Sequence, residues 1–90
     1  MALQHSKYPS RSYEPLARRL CKAVRDLMAG KTAQWIPVRR VSELIKVKDE
    51  EMLEGAISVA AQNGWLMVGG QPVHSLLLTA NGEAAVLKKK

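Results

Sequence analysis

Apolar positions recur along this chain with two spacings, and the change from one to the other marks out its elements. From Leu16 to Met28, a turn of about 100° per residue puts Leu16, Leu20, Ala23, Val24 and Leu27 on one face. Arg18, Lys22 and Arg25 lie opposite, with Arg19 and Asp26 on the flanks. This predicts a helix opening at Pro15, whose missing N–H is harmless in a first turn, and stopping within Ala29-Gly30-Lys31. Residues 32–36 (TAQWI) are short and β-prone and run into Pro37, which reads as a strand or extended connector. Val38, Val41, Leu44 and Ile45 then form the stripe of a short second helix, leaving Arg39, Arg40, Glu43 and Lys46 outward.

After the brief Val47-Lys48 connection a third helix is expected. Asp49 serves as its N-cap, and Glu50 and Glu51 sit where negative charge suits the helix dipole. Leu53, Ala56, Ile57, Ala60 and Gly64 share its inner side, and Glu51, Gly55, Ser58 and Gln62 its outer side. Asn63-Gly64 ends it, both residues tolerating left-handed backbone. The spacing then shortens to that of a hairpin: a strand from Trp65 to Val68, a turn centred on Gly69-Gly70, and a return strand from about Val73 to Leu78. Thr79 caps a last short helix that runs on toward Lys88-Lys89-Lys90. Residues 1–14 read as an irregular arm carrying Lys7, Tyr8, Arg11 and Tyr13, residues 15–87 as one domain, and 88–90 as a basic tail.

Composition narrows the class. Ninety residues, 47% hydrophobic and 24% charged, suit one small globular domain. One cysteine excludes an internal disulfide framework and fits a reducing compartment, so a cytoplasmic location is expected. Cys21, at the edge of the first helix's apolar face, reads as a packing residue. No apolar run approaches the roughly 20 residues a bilayer requires, and the N-terminus lacks the apolar region of a secretory signal. Three terminal lysines fall short of the four to eight usually needed to hold an acidic membrane. A net charge of +6 points to anionic partners. His5, His74 and the lone cysteine form no catalytic or metal-binding constellation, so neither enzyme chemistry nor a cofactor is expected. Trp35 and Trp65 read as core aromatics.

Three stretches, in order, carry a resemblance: Pro37-Val38-Arg39-Arg40-Val41-Ser42-Glu43-Leu44, Ala61-Gln62-Asn63-Gly64-Trp65-Leu66 and Leu78-Thr79-Ala80-Asn81-Gly82. The sequence resembles the winged helix-turn-helix family of DNA-binding domains over roughly Leu16 to Leu87. The resemblance implies a mostly α fold with a small β-hairpin (α+β): a three-helix core, a wing and a short C-terminal helix. It also implies a third helix in the major groove, a second helix bracing phosphates, and a wing on the adjacent backbone. Carried onto this chain, the groove-facing set is Glu51, Gly55, Ser58, Val59 and Gln62. Phosphate contacts fall to Arg39, Arg40, Lys46 and Lys48, and the wing to Gly69, Gly70, Gln71 and His74. The expected function is a small transcriptional regulator binding duplex DNA. The alternative is a protein-interaction or dimerisation module, either a homodimer or a binder of an acidic protein. It rests on a first helix that is basic outward and a third that is acidic outward. Glu50, Glu51 and Glu54 oppose phosphates, and the third helix's outer face has no Arg or Lys, the commonest readers of guanine.

Overall fold

The computed structural model describes residues 10–31, 34–70 and 73–87. Seven elements follow one another: α1 (Ser10–Met28), β1 (Trp35–Pro37), α2 (Val38–Ile45), α3 (Glu50–Gln62), β2 (Leu66–Gly69), β3 (Ser75–Leu78) and α4 (Ala80–Leu87). Four helices and a three-stranded antiparallel sheet of order β1-β3-β2 make a mostly helical α+β fold. Residues 1–9, 32–33, 71–72 and 88–90 lie outside the described residues. Most of the expected arm, Gln71 of the expected wing and the lysine tail are among them.

The longest helix, α1, is the hub, packing against α2, α3, α4, β1 and β3. It gives the core Ala17, Leu20, Cys21, Ala23, Val24 and Met28, while Leu16 and Leu27 are half-buried. It also starts earlier than the sequence predicts. Ser10 to Glu14 are helical and Pro15 is interior, where it has no N–H to donate to the carbonyl one turn back. Two contacts hold that turn regardless. Glu14 pairs with Arg18 at 3.0 Å, and the Tyr13 ring lies against Gly55 of α3.

Val41 and Ile45 of α2 are buried and Val38 packs on the core, but Leu44 is 48% exposed rather than part of the inner stripe. Helix α3 buries Ala56, Ile57, Val59 and Ala60 with Leu53 beside them, so the expected inner face is present and broader than the sequence indicates. Asp49 caps it, its Oδ1 accepting from the N–H groups of Glu51 (2.9 Å) and Met52 (3.3 Å). At its end Gly64 takes the left-handed conformation (φ 77°) while Asn63 stays right-handed. Thr79 caps α4, accepting from the Gly82 N–H at 3.0 Å and donating to the Gly64 carbonyl at 2.6 Å. One hydroxyl thereby joins the end of α3 to the start of α4.

The sheet turns Ile36, Leu66, Leu76 and Leu78 inward. Its outer face carries a cross-strand row in which Leu77 pairs with Trp35 on one side and Met67 on the other. Trp35 is therefore not a core aromatic: it is 48% exposed, because the helices cover only the inner face.

Candidate nucleic-acid interface

The site residues expected from the sequence separate into three groups once placed on these elements. The first lies on α2 and the turn after it. Burial of Val41 and Ile45 fixes the roll of this helix, and Arg39, Arg40 and Glu43 are left exposed. Lys46 ends it in the left-handed conformation (φ 58°, ψ 41°), its N–H and that of Val47 directed to the Ser42 carbonyl. Arg19 of α1 donates through Nη2 to the Ile45 carbonyl at 3.0 Å, satisfying another group at the same terminus. Such a pinned turn holds Lys46 and Lys48, both exposed, between α2 and α3. Among the described residues none of Arg39, Arg40, Lys46 and Lys48 is in an ion pair, whereas three cations of α1 are engaged. Arg18 pairs with Glu14, Lys22 with Asp26 at 3.5 Å, and Arg25 with Glu83 at 3.8 Å. Arg18 also stacks over Trp65, 4.9 Å from the ring centroid.

The second group lies on α3. Glu51 and Gln62 are exposed and Ser58 is half-exposed, Gln62 Nε2 donating to Ser58 Oγ at 3.3 Å. Gly55 and Val59 are buried and do not belong to the outer face. A Cβ at Gly55 would strike the Tyr13 ring, so the glycine makes room for the first turn of α1 rather than for a partner. What α3 presents outward is Glu50, Glu51, Met52 and Glu54, with Ser58 and Gln62 toward its end.

The third group is the hairpin. The two-residue turn centred on Gly69-Gly70 is not formed: Gly69 pairs with Ser75 and a five-residue connection, 70–74, follows. A Cβ at Gly69 would come within 3.1 Å of the Trp35 ring and 2.9 Å of Ser75 Oγ, so the ring lies across the sheet where this side chain would be. Gly70 is left-handed (φ 92°), with the His74 ring packed where its Cβ would be. The His74 N–H bonds the Gly69 carbonyl at 2.9 Å, and its carbonyl accepts from Val38 at 2.9 Å, tying the hairpin base to the start of α2. The His74 side chain is exposed; Gln71 lies outside the described residues.

Three contributors escaped the sequence pattern. The Glu14–Arg18 spacing was visible, but Pro15 argued against one helix spanning both. Tyr13 against Gly55 is a tertiary contact with no local signal. Arg19 as a cap on another helix is equally non-local.

The remaining groups offer little chemistry. Cys21 is fully buried, and burial pushes its thiol up to about 12, opposed by the nearby Arg18 charge. Among the described residues no group of three or more His, Cys, Asp or Glu could hold a metal ion, and no helix is long and apolar enough to cross a membrane. No protein-family model, curated protein or solved structure matches this chain.

Proposed function

We propose that the chain is a winged helix-turn-helix domain that binds duplex DNA chiefly through phosphates, as a small transcriptional regulator. The order α1-β1-α2-α3-β2-β3 and a sheet with β3 between its neighbours suit that architecture. The observation that carries the reading is the unneutralised charge on α2 and the turn after it: Arg39, Arg40, Lys46 and Lys48 are exposed and unpaired among the described residues. Phosphate contacts position a protein without reading sequence. With acids on the first turn of α3, only Ser58 and Gln62 remain to touch bases, so sequence preference is weak.

A salt series of duplex binding tests this. Each neutralised phosphate contributes about 0.9 to the slope of log K against log salt, so four contacts give a slope between about −3 and −4. The Arg39→Ala, Arg40→Ala double variant brings it to about half of that. Absent binding at low salt, or an unchanged slope, sinks the reading.

One observation favours a second reading, in which α3 docks a basic protein surface. Glu50 and Glu51 flank an exposed Met52, with an exposed Glu54 further along the same helix. Reversing Glu51 and Glu54 to lysine then abolishes capture of the partner without unfolding the chain, and unaffected capture removes the idea.

A further inference from the structure

From Gly55 through Gly82 the sequence holds no Asp, Glu, Lys or Arg, in a chain whose residues are 24% charged overall. That stretch supplies two of the three strands. The surface built by β2 and β3 is thus a neutral face on a protein of net charge +6, where two copies can meet without like-charge repulsion.

The two edges of the sheet differ. At the β1 edge, the Val38 N–H bonds the His74 carbonyl. Alternation along an antiparallel ladder then turns the backbone of Ile36 toward β3 and that of Trp35 and Pro37 outward. Pro37 has no N–H to offer there, so this edge is blunted in a way natural sheets commonly use. At the other edge, the Thr79 N–H bonds the Trp65 carbonyl at 3.0 Å. Met67 therefore points its N–H and C=O at β3, and Leu66 and Val68 point theirs away from the sheet. Among the described residues nothing bonds to them. Strand β2 (LMVG), though short, carries no charge and no proline, and among the described residues no covering element is paired to it. Met67 and Val68 are 53% and 42% exposed.

We propose that two copies associate through antiparallel pairing of β2 with β2 about a twofold axis, joining their sheets into one of six strands. A twofold contact closes on itself. It also runs the outer row Trp35–Leu77–Met67 of one copy into the same row of its mate. The occupant is a second copy because the surface is uncharged, self-complementary and open on one edge only. Four-residue strands make a small interface, so the dimer exchanges rapidly and forms at micromolar or higher concentration. This assignment is independent of the nucleic-acid reading, since Arg39, Arg40, Lys46 and Lys48 lie on other elements.

Sedimentation equilibrium of the full chain without nucleic acid tests it. The wild type approaches twice its 9.9 kDa mass with rising concentration, and the dissociation constant is insensitive to salt. A charge-driven contact between α1 and α3 would instead weaken as salt rises. Val68→Pro removes an outward N–H without touching a bond to β3, and Met67→Lys places an ammonium at the seam on a side chain already exposed. Each raises the dissociation constant at least about tenfold, the sign of an edge protected as natural edges are. Leu87→Lys, on the exposed end of α4, leaves it unchanged. Circular dichroism checks that each variant folds, and if Val68→Pro does not, Met67→Lys decides alone. A wild type that stays monomeric to millimolar concentration overturns the proposal, as does a folded Met67→Lys that dimerises like the wild type. The Arg39→Ala, Arg40→Ala variant keeps the dimer whatever it does to DNA, so the two readings fail separately.

Discussion

Replacing Gly55 by alanine separates two accounts of that residue by the sign of the stability change. On an exposed helix face the substitution would stabilise, because interior glycine costs roughly 0.5–1 kcal/mol relative to alanine. The structure reverses the expectation. A Cβ on Gly55 would overlap the Tyr13 ring, so the ring must leave or the first turn of α1 must move. Adding a methyl group to a packed contact costs about 1–3 kcal/mol. Set against the propensity gain of roughly 0.5–1 kcal/mol, Gly55→Ala is destabilising by up to about 2.5 kcal/mol. A domain of this size loses roughly 4–8 °C in Tm per kcal/mol, so the shift is measurable by thermal melting and by urea titration. The double variant with Tyr13→Ala identifies the cause. Once the ring is gone, Gly55→Ala turns neutral or stabilising, and the coupling between the two sites appears as non-additivity. A single Gly55→Ala variant more stable than the wild type refutes the placement of Tyr13 and returns Gly55 to the outer face.

Lys46→Gly, at a left-handed position, stabilises the fold by about 1 kcal/mol while removing about 0.9 from the salt slope of DNA binding; stability and affinity moving together contradict the role given to it. Thr79→Ala removes the cap of α4 and the bond to Gly64, costing about 1–2 kcal/mol by urea denaturation, whereas Thr79→Ser keeps most of it. Cys21 stays unreactive toward thiol reagents in the native chain and labels fully once it is unfolded. Its thiol is pushed from 9.0 up to about 12 in the folded state, so the folded form favours the protonated group. That contribution is whole below pH 9 and declines as pH rises from 9 toward 12, which a series of alkaline melts compared with Cys21→Ala detects.

Much of the fold is legible because its signals are local. The Asp49 cap, the Asn63-Gly64 stop and the Thr79 cap depend on side chains bonding their own neighbourhood, and each stands where its residue type calls for it. The misplaced features are those settled across the chain. Pro15 opens a helix on local grounds, whereas the Tyr13–Gly55 packing and the Glu14–Arg18 pair accompany its extension back to Ser10. The pairing of β1 with β3 joins residues some forty apart, and three residues ending in proline give little hint of it. Trp35 reads as core from its size alone, yet β1 is an edge strand with one face uncovered. Of the candidate site, the cations of α2 were legible because a buried Val41 and Ile45 dictate which side faces water. Gly55 and Val59 were not, because α3 is contacted on more than one side.

Where the charge sits matters more than its total. The +6 of the whole chain is not spread evenly: Arg18, Lys22 and Arg25 each have an acidic partner, and the hairpin has no charge to contribute. Lys46 and Lys48 stand directly before Asp49, Glu50 and Glu51, within a Debye length of about 10 Å at 0.1 M salt, so their attraction for phosphates is partly cancelled. Arg39 and Arg40 sit at the far end of α2, whose eight residues rise about 12 Å, farther from those three acids, with Glu43 the one acid within a helical turn of them on α2. If the proposed DNA binding holds, a duplex is expected to be held first at the start of α2, with the acidic first turn of α3 kept off the phosphates. On that proposal, groove reading would fall to Ser58 and Gln62, and the arginine pair would be the lever on affinity.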